Sequence, residues 1–324
     1  MAETATQANN LPAVIEELAK PVGTIPESAR RRSLKFGIMD AGCYASMVGF
    51  AETYFLPLLL FFGATNYQVG VFSAAPQLCL ALAQFAGLAL VDRLMVRMKI
   101  IAGAAAMQAL FLAAMLISVI AGLTDPWYYV AMAIGYYAFF GATLPACNSL
   151  LGDLTTDTGR GKYFGRRNGL SQLVMFFSIL AGGVLIQHFE NSGAARTGFA
   201  LVLALALAAR IGSVFAITRH CDVPYVRNPG ADFSLWQFVR KSRTSNFTHF
   251  VYFVALTTLA VQMSAPYFIA YMIRDLGFSY FQFMLAQSMF IAVQFLATPR
   301  WGGTVDRYGN RSVLYVSALI LCVI

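Results

Sequence analysis

Long apolar stretches, separated by short polar breaks, dominate the chain. They run at about 37–62, 67–91, 100–122, 127–151, 168–188, 197–218, 249–273 and 280–299. Each holds the roughly 20 apolar residues that a helix needs to cross the hydrocarbon of a bilayer. Helices are the simplest elements that satisfy every backbone polar group in lipid, so the pattern predicts eight crossing helices. A ninth stretch starts after Arg311 and the chain stops at Ile324, so the sequence reads as ending inside a span. Residues 1–35 are polar, end in Arg30, Arg31, Arg32 and Lys35, and hold no apolar core of signal-peptide length. They are expected to form a cytosolic tail.

The basic residues alternate with the spans. Of 23 Lys and Arg, Arg210 falls inside the sixth span, and Arg196 and Arg274 fall after the fifth and seventh. The other 20 fall in the tail or in the breaks after even-numbered spans. Basic loops stay in the cytosol, so the N-terminus is expected inside and the ninth stretch heads outward. A multi-pass protein of the plasma (inner) membrane is the expectation. The longest polar break, about 219–248, is basic, and Phe233, Leu235, Trp236, Phe238 and Val239 within it read as a short interfacial helix or an irregular linker. The expected organisation is a tail at 1–35, a six-helix bundle at 36–219, a linker at 220–248 and the start of a second bundle at 249–324.

Composition agrees with this picture. Of 324 residues, 58% are hydrophobic and 12% charged, and the mean hydropathy is +0.64. Soluble domains carry about 25% charged residues. The net charge of +8 would suggest nucleic acid in a soluble protein; here it sets orientation, and the bilayer is the expected partner. Five cysteines, with no CxxC pair, give neither a disulfide framework nor a zinc site. The three histidines lack metal-ligand spacing. No catalytic constellation stands out and no cofactor is expected; there is no phosphate-binding Gly-x-x-x-x-Gly-Lys-Ser/Thr loop, so ATP hydrolysis is not expected either.

Sliding the chain by 214 residues brings two segments into register. Gly63, Thr65 and Gln68 fall on Gly277, Ser279 and Gln282, and Asp92, Arg93 and Arg97 fall on Asp306, Arg307 and Arg311. Spans one to six therefore form one repeat, and span seven opens a parallel copy, an arrangement found among secondary transporters. The second charged copy, Gly302-Gly303-Thr304-Val305-Asp306-Arg307-Tyr308-Gly309-Asn310-Arg311, resembles the loop signature of the major facilitator superfamily, Gly-x-x-x-Asp-Arg-x-Gly-x-Arg. The first copy has Leu88 and Met95 where glycines are usual, which weakens the case for a tight turn there. Asp153 and Arg160-Gly161 resemble the superfamily's acidic-then-Arg-Gly pattern after the fourth span.

The resemblance implies an all-α fold of twelve helices in two bundles, acting by alternating access about a central cavity. Most of spans nine to twelve would lie beyond Ile324. It also implies that the Asp of one half meets a helix N-terminus of the other. For Asp306 that helix is expected to be span five, starting near Asn168 with Arg166 and Arg167 just before it; for Asp92 it is span eleven. A helix N-terminus carries about half a positive charge, so an Asp beside it is stabilised. Gly302, Arg307, Gly309, Arg311, Arg93, Arg97, Asp153 and Arg160 complete this gate set. The alternative is charged loops that only fix topology.

Cavity candidates come from polar groups inside spans. Glu52 lies near the middle of span one, where an ionisable group should face the bundle interior. Asp40, Tyr44, Val48 and Glu52 recur every four residues as one drifting stripe. Glu52 reads as a proton-binding group or as a structural hydrogen-bonding one. Arg210 reads as a snorkelling or salt-bridged residue or as a contact for an anionic solute. Gln77 and Gln84 in span two, and Gln287 and Gln294 in span eight, face similar sides of equivalent helices and either line the cavity or bond between helices. The leading expectation is a monomeric secondary transporter of a small solute, ion- or proton-coupled; the alternative is a membrane-embedded enzyme or sensor on the same scaffold. Sugar, organic anion, peptide and drug remain open as solutes.

Overall fold

The computed structural model describes residues 26–155, 157–221, 246–309, 313–317 and 319, and within these the side chains of all but 157–160, 162, 246–247 and 298–307. The fold is all-α, with no strand among the described residues. Among the described residues, eight helices are long and apolar enough to cross a membrane. Helix α1 is Glu27–Phe61; α2 is Asn66–Leu94, α3 Arg97–Ala121, α4 Pro126–Leu154, α5 Asp157–Asn191 and α6 Ala195–Thr218. Helix α7 is Asn246–Ala270, continued by a wide π turn at Tyr271–Asp275, and α8 is Tyr280–Tyr308.

Helix ends depart from the apolar stretches in three places. Helix α1 starts at Glu27, inside the expected tail. Pro26 precedes it, and Glu27 pairs with Arg31 one turn on at 2.6 Å. That pair is exposed and adds little, but an acid in the first turn suits the helix dipole. Buried Ser33 accepts from the Cys221 N–H at 2.8 Å, tying the start of α1 to the end of α6. Next, α2 runs through Asp92 and Arg93, and α8 runs through Gly302 to Tyr308, so the motifs read as loops are helix ends. Hydropathy marks where lipid stops, and a helix is free to continue into water. Third, α5 starts at Asp157, so Arg166, Arg167 and Asn168 sit well inside it. No helix N-terminus exists near Asn168 to receive Asp306, which corrects that part of the gate expectation.

The 214-residue repeat is visible in backbone detail. Thr65 and Gln68 form a reciprocal capping box at the start of α2. Ser279 and Gln282 repeat it before α8, with bonds of 2.9 and 3.3 Å. The turn after α2 is tight despite the missing glycine: Met95 takes φ 56°, and the repeat-related Gly309 takes φ 80°. A non-glycine residue in this region costs about 1–2 kcal/mol.

Helices α1, α3, α4, α5 and α6 pack around a common core that includes Met47, Leu59, Leu112, Met115, Tyr136 and Phe199, all nearly inaccessible. Helices α2 and α4 cross at backbone contact, where Gly87 lies against Ala142 and Gly141 against Leu80. Small residues permit such crossings, and a side chain at either glycine would collide with the facing main chain. Helix α7 packs on α2, and α8 on α5. Outward faces carry large apolar side chains such as Leu110, Ile117, Ile120, Phe177 and Phe290, which suits lipid rather than water.

Candidate functional site

Glu52 closes a π turn at Val48–Glu52 within α1. The Thr53 hydroxyl donates to the Val48 carbonyl five residues back, in keeping with the wider turn. An α-helix turns about 100° per residue, so twelve residues would carry Glu52 about 120° round from Asp40. The π turn inserts an extra residue and rotates the downstream face back. Turns of this kind concentrate at functional sites.

Two adjacent tyrosines of α4 close on the Glu52 carboxylate. The Tyr136 hydroxyl donates to Oε1 at 2.7 Å, and the Tyr137 hydroxyl donates to Oε2 at 3.1 Å. Tyr136 is fully buried, and its hydroxyl also lies 3.4 Å from Met47 Sδ. The two rings meet edge to face at 5.2 Å. Tyr136 extends the network through its carbonyl, which accepts from Gln108 Nε2 at 3.2 Å. Gln108 Oε1 accepts from Arg210 Nη2. Arg210 Nη1 donates to Ser213 Oγ at 2.9 Å, and Ser213 Oγ donates to Asp40 Oδ1 at 2.7 Å. Asp40 and Glu52, on one helix, are therefore the two ends of a polar chain through α6, α3 and α4. Arg210 also sits 5.5 Å from the Tyr44 ring centre, within cation–π range.

Arg210 is thus not a snorkelling residue. It is 3% exposed and turned inward to Gln108 and Ser213. Asp40, Tyr44 and Arg210 line a cavity of about 340 Å³; Glu52 is not among its lining residues, so the α1 stripe does not face one space. Gln77 and Gln294 are exposed, while Gln84 and Gln287 are half-buried, and none of the four lines this cavity.

The gate candidates divide. Arg97, the first residue of α3, has a fully buried side chain and bonds Asp153 Oδ2 and Ser149 Oγ, each at 2.7 Å. This joins the α2–α3 turn to the end of α4. Asp92 is half-buried and Arg93 exposed. Gly302 lies within α8 and Gly309 ends it. The side chains of Arg160, Asp306 and Arg307, and the whole of Arg311, lie outside the described residues, as does the expected interfacial helix at 233–243. Among the described residues no group of His, Cys, Asp and Glu is placed to hold a metal ion.

Sequence reasoning missed Gln108, Tyr136, Tyr137, Ser149 and Ser213. Each is a polar group within or at the end of an apolar run, the same signal that singled out Glu52. What the sequence lacked was the pairing of helices that brings them together.

The sequence matches the family described as Major Facilitator Superfamily over residues 39–324. No curated protein matches it in sequence. Solved structures that share its fold include the following two. One is a bacterial homolog to the human lysosomal transporter Spinster, in an inward-facing and unoccupied conformation. It matches with TM-score 0.63 and 14% identity over 89% of this chain and 64% of that one. The other is the nucleoside transporter NupG, with TM-score 0.59 and 12% identity over 87% of this chain and 68% of that one. The chain therefore spans about two thirds of the length of these proteins.

Proposed function

The chain belongs to the major facilitator superfamily, and we propose that it is a secondary active transporter of a small solute, working by alternating access, with Glu52 as its proton-binding group. The observation that carries the proposal is the double hydrogen bond from Tyr136 and Tyr137 to Glu52 across α1 and α4. An ionised carboxylate is an acceptor only and takes both hydroxyl protons; a protonated one must donate its own. Protonation adds a donor to the carboxyl and makes its oxygens weaker acceptors, which loosens the longer Tyr137 bond first. A ligand shifts a conformational equilibrium only through unequal affinity for the two states. Here the proton is that ligand, and the relative position of α1 and α4 is what it biases.

Further support comes from the family, from two neighbours whose printed descriptions name transporters, and from eight helices of crossing length. The basic residues support a cytosolic N-terminus in an inner or plasma membrane. The repeat supports a division into a first bundle at 36–219, a linker at 220–248 and a second bundle from 249. In this reading the protein works as a monomer without a cofactor. Asp92 and Asp306 act as gate acids at repeat-related helix ends, and the Arg97–Asp153 pair holds the α2–α3 turn on α4 while they switch. The test is solute accumulation driven by a pH gradient in proteoliposomes, compared with Glu52→Gln. Loss of accumulation with retained solute exchange is expected; accumulation equal to the parent protein removes Glu52 from coupling.

A further inference from the structure

The 340 Å³ cavity among α1, α3, α4, α5 and α6 is separate from the Glu52 pair and carries its own chemistry. Its polar wall holds Arg167 and Arg210 against one carboxylate, Asp40, which already accepts from Ser213. Counting these three groups, the formal charge is positive. Arg210 is 3% exposed, and two of its nitrogens bond the neutral Ser213 and Gln108. Its Nε is buried with no partner, and the Nε of Arg167 is buried with no partner as well. Among the described residues, the ion pairs involve neither arginine. A guanidinium cannot shed its proton, so a buried one is stable only when its charge is compensated. The rest of the wall is mixed: Asn148 and Ser171 supply polar contacts, and Phe140, Leu144 and Ile217 supply apolar surface. The volume falls in the range of small-molecule sites, roughly 300–1,000 Å³.

We propose that this cavity binds a small organic anion, with a carboxylate or phosphate head held by Arg167 and Arg210 and an apolar body against Phe140 and Leu144. The guanidinium fork suits a planar or tetrahedral oxyanion better than a neutral ligand does. The cavity lies toward the bundle end that carries Gly37, Arg167 and His220, so under the proposed orientation the anion enters from the cytosol. The site does not depend on Glu52 being the proton-binding group, and its test reads binding rather than transport.

The experiment is calorimetric titration of the purified full chain in a neutral detergent with phenyl phosphate, benzoate, inorganic phosphate and the uncharged benzamide. Saturable binding of phenyl phosphate or benzoate, weaker binding of inorganic phosphate and none of benzamide is expected. Arg167→Gln should weaken the anion at least tenfold and Arg167→Lys less. Arg219→Gln, which removes an exposed charge outside the cavity, should change affinity less than twofold. Repeating the titration in phosphatidylcholine nanodiscs with and without phosphatidylglycerol identifies the source of the head group. Competition by phosphatidylglycerol assigns the site to a lipid phosphate, and its absence assigns it to a free anion. No saturable anion binding, equal binding of benzamide, or unchanged affinity in Arg167→Gln with an unaltered melting temperature would overturn the proposal.

Discussion

Arg97 Nη1 and Asp153 Oδ2 lie 2.7 Å apart, with the arginine side chain wholly buried and the aspartate half exposed. The pair closes the α2–α3 turn onto the end of α4, and Ser149 adds a second acceptor at 2.7 Å. Removing the acid takes a charged partner from a buried guanidinium. Removing a partner from a buried pair costs about 3–5 kcal/mol, and the exposure of Asp153 places this case at or below the lower end. Asp153→Asn should therefore lower the melting temperature in detergent more than Arg93→Gln, which alters an exposed residue. Equal melting temperatures for the two variants would show that the pair holds nothing.

Met95 offers the opposite test, a change that stabilises. Its φ of 56° is the conformation that glycine supplies at the repeat-related position, Gly309. Met95→Gly relieves about 1 kcal/mol of strain, partly offset by the greater freedom of glycine in the unfolded chain. A small rise in melting temperature is expected, with a fall for Gly309→Ala. A fall for Met95→Gly would mean that the methionine side chain contributes more than its backbone costs.

The polar chain predicts a further loss. Gln108→Leu removes the acceptor of Arg210 Nη2 and the donor to the Tyr136 carbonyl in one change. Leaving a buried polar group unsatisfied costs about 1–3 kcal/mol, and more where it is charged. Gln108→Leu should destabilise the protein, and Gln108→Glu, which keeps an acceptor for Arg210, should destabilise it less. The melting temperatures of the two variants in detergent decide the point.

Orientation has its own measurement. Thr124 and Ser192 are exposed at the α3–α4 and α5–α6 turns, and Lys35 and Lys99 are exposed within the first turns of α1 and α3 near the opposite ends of the helices. Single cysteines at Thr124 and Ser192 should react with an impermeant maleimide from outside intact cells, and those at Lys35 and Lys99 only after permeabilisation. The reverse pattern would contradict the cytosolic N-terminus.

Much of the fold was legible because lipid demands one thing of a sequence: apolar runs of crossing length. The eight runs and the repeat followed from hydropathy and from residues such as Gly63, Gly277, Asp92 and Asp306. Helix ends were less legible. The stretch at Glu27–Lys35 and the motif at Gly302–Tyr308 are polar enough to read as tail and loop, yet both are helical, because a helix does not stop where the hydrocarbon does. The site was half legible. Glu52, Asp40 and Arg210 announced themselves as charges in apolar surroundings. Tyr136, Tyr137, Gln108 and Ser213 did not, because tyrosine, glutamine and serine occur widely in spans and gain meaning only from a neighbour on another helix. The π turn at Val48–Glu52 left no signal that periodicity alone detects.

Glu52 is proposed to couple proton binding to transport. The direct measurement uses proteoliposomes holding the parent protein or Glu52→Gln, and a labelled solute found by an uptake screen. An imposed pH gradient reads accumulation, and preloaded vesicles without a gradient read exchange. Glutamine keeps the shape of Glu52 and its capacity to accept from Tyr136, and it removes titration. The expected result is accumulation in the parent, none in Glu52→Gln, and exchange within several-fold of the parent in both. Accumulation by Glu52→Gln on the same pH gradient would contradict the account and leave Glu52 as a structural acceptor for the two tyrosines.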